Sequence, residues 1–249
     1  MKVALFIPCY VDQFYPNVGL ATVSILEAFG VEAEFPEAQT CCGQPMANSG
    51  CMHEAKPLAA KFVDVFRSYD YIVSPSGSCV SMVRNHYDHL VDAADSVASH
   101  VRSRTLELSE FLLQILKIKP IKGKFPFQVG VHQSCHGLRE LRLGPCSEVM
   151  SARDSLLQQL LQHLEGIRFS TLARKDECCG FGGTFAVAEA GVSAMMGEDR
   201  INDHLQAGTQ VLTAGDMSCL MHLEGLIRRR NLPLRVMHFA EIIAEAMDK

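Results

Sequence analysis

"TCCG" at residues 40–43 and "ECCG" at residues 177–180 each place two adjacent cysteines directly before a glycine. The same unusual motif thus occurs twice, about half a chain apart, in a sequence of 249 residues. A motif that recurs at such a distance is typical of an internally duplicated protein. If the chain is duplicated, the sequence on either side of the two cysteine pairs has to repeat as well.

The flanking sequence does repeat, and in the same order. "KVALFIPC" (2–9) matches "QVGVHQSC" (128–135), "YIVSPSGSC" (71–79) matches "VLTAGDMSC" (211–219), and "LSEFL" (108–112) resembles "FAEII" (239–243). The offset between the copies is 126 residues at Cys9 and Cys135 and 140 residues at Cys79 and Cys219. Because only modest insertions separate the copies, we predict two similar halves, residues 1–122 and 123–249.

Each half alternates between strand-like and helix-like segments. The first half predicts a strand into Cys9, a helix from Asn17 to Gly30, a strand over 31–38, a helix over 54–69, a strand over 71–74 and a helix over 80–94. The second half predicts strands over 127–135, 167–173 and 210–215, helices around 150–164 and 189–206, and a closing strand and helix. This alternation predicts an α/β fold of two Rossmann-like halves, each a mostly parallel sheet flanked by helices.

Eight of the ten cysteines follow predicted strands at repeated positions. In open α/β sheets the ligand lies outside the carboxyl ends of the strands, so these thiols are expected to converge on one binding edge in each half. We predict that they are metal ligands: Cys9, Cys41, Cys42, Cys79, Cys135, Cys178, Cys179 and Cys219. Cys51 and Cys146 have no counterpart in the other half and fit better as ordinary buried cysteines.

Four repeated thiols per half allow several chemistries. Disulfides are disfavoured in a reducing compartment, and adjacent cysteines make a strained bridge. Zinc accepts four thiolates, but its usual cysteine pairs are two to four residues apart. Adjacent thiolates instead favour different metal atoms of one iron–sulfur cluster, with the following glycine permitting a sharp turn. A thiol enzyme that uses Cys42 or Cys179 as its nucleophile is a further alternative.

Composition and charge narrow the class of protein. The formal net charge of -5 disfavours nucleic acid as the main partner. The N-terminus reads as a first buried strand and not as a signal peptide, because Pro8 interrupts a short apolar run. No apolar stretch approaches the roughly 20 residues that a transmembrane helix needs. We therefore expect a cytoplasmic protein without a transmembrane segment.

The motifs resemble a known family, the duplicated cysteine-rich CCG domain that heterodisulfide reductase shares with the iron–sulfur subunit of glycolate oxidase. The resemblance is closer to the lactate utilisation protein A group and covers the whole chain. It rests on "IPCYVDQFYPNVGLATVSILE" (7–27), "FPEAQTCCGQPMANSG" (35–50), "GSCVSMVRNHY" (77–87), "SCHGLREL" (134–141), "ECCGFGGTFAV" (177–187), "DMSCLMH" (216–222) and "MHFAEII" (237–243).

The resemblance implies the iron–sulfur subunit of a cytoplasmic complex that oxidises L-lactate to pyruvate. It implies two partner proteins, one with ferredoxin-like clusters, and electron transfer through one cluster in each half. Glycolate or another 2-hydroxy acid as substrate, and a zinc-binding scaffold without redox activity, remain alternatives. Zinc is also expected as a substitute in isolated protein after loss of iron.

The chain departs from the heterodisulfide reductase pattern at two positions. There, a further cysteine precedes the last one in each half, and five thiolates hold a non-cubane cluster; here the positions carry Ser76 and Asp216. Four thiolates per half suffice for an ordinary four-iron cluster. Either residue is expected to contact the cluster or to cap the following helix, with capping favoured for Ser76. His132, His136 and Arg139 surround Cys135 and are candidates to donate hydrogen bonds to the cluster or to a carboxylate. A helix cap and a solvated helix face are equally consistent with these three residues.

Overall fold

A computed structural model describes residues 1–92, 94–148 and 154–247. Eight strands occur in this part of the chain: β1 (Val3–Leu5), β2 (Ala33–Glu34), β3 (Tyr71–Ser74), β4 (Thr105–Glu107), β5 (Gln128–Val131), β6 (Arg168–Phe169), β7 (Val211–Ala214) and β8 (Arg235–His238). They form two four-stranded sheets with the orders β2-β1-β3-β4 and β6-β5-β7-β8. Every pairing is parallel. The predicted fold class, two similar α/β halves with parallel sheets, is confirmed.

Helices connect the strands in both halves. The α-helices of the described residues are α1 (Cys9–Phe14), α2 (Pro16–Ala28), α3 (Gln44–Asn48), α4 (Met52–Phe66), α5 (Gly77–Ser81), α6 (Ser96–Arg104), α7 (Leu108–Glu110), α8 (Leu156–Leu161), α9 (Phe185–Ala188), α10 (Ala190–Gln206), α11 (Met217–Arg229) and α12 (Phe239–Met247). Short π-helical turns at Met82–His86, Phe111–Ile115 and His136–Glu140 and a 3₁₀ turn at Tyr87–His89 complete the set. No helix among these is long and apolar enough to cross a bilayer.

Both sheets share the same switch in strand order. The chain runs from β1 outward to β2 and then returns to β3 on the other side of β1. A ligand site is expected where the strand order reverses, outside the carboxyl ends of the two central strands. Cys9 follows β1 and Cys79 follows β3 at this point, and Cys135 and Cys219 follow β5 and β7 in the same way. The duplicated topology therefore creates one such place in each half.

The two halves share a hydrophobic core. One continuous cluster contains Leu5 and Ile25 of the first half together with Val129 and Ile243 of the second. The last helix, α12, packs against α2, and α1 packs against α11. Because the buried apolar surface is continuous across the halves, their relative position is set by core packing.

Several predicted segments differ from the observed ones. The strand predicted over 31–38 is reduced to β2, since Pro36 lacks the N–H that a longer ladder needs. The helix predicted over 80–94 breaks into π and 3₁₀ turns, where the hydroxyl of the buried Tyr87 donates to the Cys42 carbonyl at 3.0 Å. The helix predicted around 150–164 is observed only as α8, and residues 149–153 lie outside the described residues. Helix α6 has no counterpart among the predicted segments.

A buried carboxyl group lies at the end of β4. Glu107 accepts hydrogen bonds from the backbone N–H and the hydroxyl of Ser109, while its other oxygen has no hydrogen-bond partner among the described residues. Burial, the largest cause, raises the pKa of Glu107 from 4.5 to about 8. The folded protein therefore holds this proton far more tightly than the unfolded chain does.

Glu107→Gln is expected to change how stability depends on pH. The raised pKa contributes stability that is complete below about pH 4.5 and is lost as pH rises toward 8. At pH 8 we expect the variant to exceed the wild type by about 4 kcal/mol in the free energy of unfolding, since glutamine stays neutral. Urea denaturation at pH 5 and pH 8 measures this, with the exposed Glu37→Gln as the matched control. An equal pH dependence in all three proteins would contradict the assignment.

Candidate metal centre

Four thiols of the first half, Cys9, Cys41, Cys42 and Cys79, form the N-terminal quartet. The thiols form a row: Cys41 accepts hydrogen bonds from the Cys9 and Cys42 thiols on either side of it, and Cys42 in turn adjoins Cys79. The Cys42 and Cys79 sulfurs lie 3.5 Å apart and both are buried. The four cysteines come from the start of α1, the loop after β2 and helix α5. The structure thus brings together the four thiols that the repeat singles out.

The second half repeats this arrangement with Cys135, Cys178, Cys179 and Cys219, the C-terminal quartet. The thiols again form a row in chain order: Cys178 accepts hydrogen bonds from the Cys135 and Cys179 thiols on either side of it, and Cys179 in turn adjoins Cys219. All ten cysteines of the chain lie in the described residues and are free thiols. Neither Cys51 nor Cys146 belongs to a quartet, and Cys146 is half-buried. The expectation that Cys51 is buried is wrong, because it lies exposed at the turn that precedes α4.

A glycine turns the backbone sharply after each cysteine pair. Gly43 and Gly180 have φ angles of 84° and 88°, in the left-handed region that glycine adopts most readily. In this conformation each glycine N–H points back to the first sulfur of the pair, at 3.4 Å from Cys41 and 3.3 Å from Cys178. The turn expected from the sequence therefore also supplies a hydrogen bond to a sulfur.

The two glycines differ in the space around them, which gives a matched pair of variants. A Cβ at Gly180 would lie 2.5 Å from the Ser193 carbonyl oxygen, whereas at Gly43 the nearest atom is 3.6 Å away. We expect Gly43→Ala to cost about 1 kcal/mol from the backbone conformation alone. Gly180→Ala adds a clash and is expected to cost about 2–3 kcal/mol. Urea denaturation measures both, and equal losses would contradict the tight packing at Gly180.

One thiol of each quartet is strongly acidified. Hydrogen bonds from the Cys42 and Cys9 thiols lower the pKa of Cys41 to about 3. Hydrogen bonds from the Cys135 and Cys179 thiols likewise lower the pKa of Cys178 to about 2. Thiolates are the form of cysteine that binds metals. The same hydrogen bonds raise the pKa of the thiols that donate them, so one thiol in each quartet is the first to ionise.

Both quartets line a single cavity of about 140 Å³ between the halves. All eight cysteines contribute to its wall, together with polar side chains of Gln44, Asn48 and His136. Tyr10 and Phe181 also line the cavity, with their rings edge to face at 5.9 Å between centroids. The sequence predicted two binding edges, and the structure places these edges face to face.

Ser76 and Asp216 lie between the quartets and cap helices. The Ser76 hydroxyl accepts from the Cys79 N–H at 3.4 Å, as the sequence favoured. One Asp216 oxygen accepts from the Ser218 N–H at 3.1 Å, and the other accepts from the Ser78 N–H of the opposite half at 2.6 Å. Asp216 therefore caps α11 and α5 together and ties the two halves at the cavity wall.

The three remaining candidates around Cys135 lie in different environments. His136 lines the cavity, with its Nε2 3.2 Å from Nε2 of Gln44. Arg139 points away, since its guanidinium donates to Glu148 at 2.9 Å and forms an exposed ion pair. His132 is buried behind the C-terminal quartet, with both ring nitrogens unpartnered among the described residues.

Several residues of the cavity wall were not predicted from the sequence. Tyr10 of α1 directly follows Cys9, and Gln44 and Asn48 of α3 lie two and six residues after Cys42. Their proximity to Cys9 and Cys42 in the sequence was the available signal. Phe181 follows the second cysteine pair in the same way.

The donor set is consistent with a thiolate-bound metal or cluster. Each quartet offers four sulfurs without competing disulfides, and one of the four is already acidified. Thiolates are the ligands that iron–sulfur clusters and structural zinc use. The residues that would hold such a group are the eight cysteines of the two quartets.

This geometry defines a class of protein, namely a duplicated α/β protein whose two thiol quartets face one cavity. The Cysteine-rich domain (CCG) family matches residues 3–84 and 129–224, one match in each half. The chain belongs to this cysteine-rich family. The resemblance inferred from the cysteine motifs is therefore confirmed.

Two relatives extend this similarity over the full chain. Lactate utilization protein A of Halalkalibacterium halodurans is 40% identical over 98% of this chain and 96% of its own length. Lactate utilization protein A of Bacillus subtilis is 40% identical over 98% of this chain and 99% of its own length. A solved glutamate racemase from Bacillus anthracis covers 98% of this chain and 78% of its own, at 12% identity and a TM-score of 0.35, which is too low to support an argument.

Proposed function

We propose that the chain is the iron–sulfur subunit of a cytoplasmic complex that oxidises L-lactate to pyruvate. The observation that carries this proposal is the pair of thiol quartets on one cavity. The full-length similarity to proteins named lactate utilization protein A supports the choice of lactate. Residues 1–122 and 123–249 form the two cysteine-rich domains in this proposal.

The eight cysteines of the two quartets would hold one four-iron cluster in each half. Bound clusters of this kind supply one-electron transfer. The role of the protein is to present the sulfurs: the N–H groups of Gly43 and Gly180 donate to the first sulfur of each pair and stabilise its negative charge. Asp216 holds the helices that carry Cys79 and Cys219 in register across the cavity.

The cavity wall also offers donors for a small carboxylate. Gln44, Asn48 and His136 carry side-chain N–H groups at this wall, and such groups bind carboxylate oxygens. A 2-hydroxy acid would meet these donors beside the quartets. Two further lactate-utilisation proteins, one of them with ferredoxin-like clusters, would complete the complex and carry the electrons onward.

The proposal is tested by reconstituting the three proteins anaerobically and measuring reduction of an artificial electron acceptor. L-Lactate is expected to support reduction and to yield one pyruvate per two electrons, whereas omission of this chain abolishes the reaction. Glycolate and D-lactate in parallel assays distinguish the substrate. Reduction with glycolate alone would transfer the assignment to another 2-hydroxy acid, and full activity without this chain would contradict the proposal.

A further inference from the structure

The His132 side chain is buried without a hydrogen-bond partner. It follows β5 directly, its backbone N–H donates to the Thr213 carbonyl at 2.8 Å, and its side chain points into the protein. The residue is 1% exposed, and neither ring nitrogen has a partner among the described residues. A buried polar group without a partner costs free energy, so a ligand bound to a ring nitrogen of His132 would stabilise the folded protein.

Sulfur ligands lie within reach of this imidazole. One ring nitrogen of His132 and the sulfurs of Cys179 and Cys219 all lie within 4.8 Å of one another, and all three residues are buried. Imidazole nitrogen and thiolate sulfur are both common ligands of iron and zinc. The three atoms are thus close enough to bind one metal atom together.

The first half has a phenylalanine, Phe6, at the position that corresponds to His132. The buried histidine is therefore not part of the pattern that the two halves share. Phe6 follows β1 as His132 follows β5, and its N–H donates to the Val73 carbonyl just as that of His132 donates to Thr213. Phe6 packs edge to face on Phe62 and Phe66 of α4, with centroid distances of 4.9 Å and 5.8 Å. A phenyl ring cannot bind a metal, so the N-terminal quartet has only thiols beside it.

A charged cluster replaces these phenylalanines in the second half. On α10, the helix that corresponds to α4, Arg200 and Asp203 form a fully buried ion pair at 3.1 Å. Arg200 also lies 3.2 Å from Nε2 of the buried His204. The helix that packs behind this strand end therefore carries polar and charged groups in the second half, where the first half has phenylalanine rings.

We propose that His132 binds the metal centre of the C-terminal half through a ring nitrogen, alongside the thiolates of Cys179 and Cys219. The two centres then differ chemically: the N-terminal quartet supplies thiolates alone, and the C-terminal site supplies thiolates and an imidazole. This inference rests on the proposed binding of clusters. An imidazole ligand in addition to the thiolates changes the electronic environment of one centre only, so the two centres are expected to differ in reduction potential.

Pulsed EPR of the anaerobically purified full-length protein tests the inference without any substitution. The protein is labelled with ¹⁵N-histidine or left at natural abundance, reduced in steps, and analysed for nitrogen coupling to the cluster spin. We expect a coupling of the strength seen for directly bound imidazole, changed by the label, in one of the two cluster signals. A cluster signal with no histidine coupling, or only the weak coupling of a hydrogen-bonded ring, would overturn the inference.

Two variants identify which histidine is responsible. His132→Phe copies the residue found at the equivalent place in the first half and is expected to remove the coupling and to shift the reduction potential of one centre only. His136→Phe alters the histidine that lines the cavity next to Cys135 and is expected to leave the coupling intact. Loss of the coupling in His136→Phe with retention in His132→Phe would overturn the inference. Iron and sulfide analysis of the same samples shows separately whether clusters are bound, so failure of the proposed function is distinguishable.

Discussion

Cys179→Ser is expected to remove the metal of the C-terminal half and to leave that of the N-terminal half in place. The Cys179 sulfur is buried and lies between Cys178 and Cys219 in the row of hydrogen-bonded thiols. A serine hydroxyl stays protonated at neutral pH and is a poor ligand for iron in place of thiolate. Iron and sulfide per chain should therefore fall by about half, from about eight of each for two four-iron clusters.

Matched variants decide whether this loss is specific to one quartet. Cys42→Ser is expected to cause the same loss in the N-terminal half, and the double variant is expected to retain no cluster. Cys51→Ser alters an exposed thiol outside both quartets and should bind the full complement. Full iron in Cys179→Ser, or loss of all iron in each single variant with the fold intact, would contradict two separate centres.

Asp216→Ala is expected to cause the largest loss of stability among single substitutions at the cavity wall. The carboxylate accepts from the backbone of Ser78 at 2.6 Å and from the backbone and hydroxyl of Ser218 at 3.1 Å and 2.6 Å. Alanine removes a cap from two helices and leaves the buried Ser78 N–H unpaired. The expected cost is about 4 kcal/mol in the free energy of unfolding.

Two further substitutions separate charge from capping. Asp216→Asn keeps an acceptor at the cap and is expected to lose about 1–2 kcal/mol, because asparagine caps helices nearly as well. Ser76→Ala removes a single hydrogen bond of 3.4 Å and is expected to lose about 1 kcal/mol or less. Urea denaturation of the four proteins measures the series. A loss in Asp216→Ala no larger than in Ser76→Ala would contradict a cap that spans both halves.

Much of the metal site was predictable because the duplication could be compared with itself. Cysteines that recur at strand ends in both copies had to meet where parallel strands end, and the structure places all eight on one cavity. The sharp turn after each cysteine pair also followed from the sequence, since glycine is the residue that adopts positive φ at low cost. These features depend on local sequence and on a general rule of α/β topology.

Features that depend on contacts between the halves were not predictable in this way. The bond from the Ser78 N–H to Asp216 joins residues 138 positions apart, and no local pattern indicates it. Arg139 was a candidate for the site, but Glu148 and Asp176 on its other side hold its guanidinium away from the cavity. Tertiary partners, and not the spacing from Cys135, decide where these side chains point.

The difference between His132 and Phe6 is already present in the sequence. The aligned stretches "KVALFIPC" and "QVGVHQSC" place a histidine where the first copy has a phenylalanine. Sequence reasoning expected His132 near Cys135, whereas β5 directs it to Cys179 and Cys219. A polar residue that replaces an apolar one within a repeated core strand is thus a useful signal in a duplicated protein.

Metal analysis with EPR spectroscopy of the anaerobically purified protein tests the central claim most directly. We expect about eight irons and eight acid-labile sulfides per chain, and cluster signals on reduction. The protein should be brown and lose its colour on exposure to air. Colourless protein with stoichiometric zinc, no sulfide and no EPR signal after anaerobic purification would contradict the account and would identify the quartets as structural zinc sites.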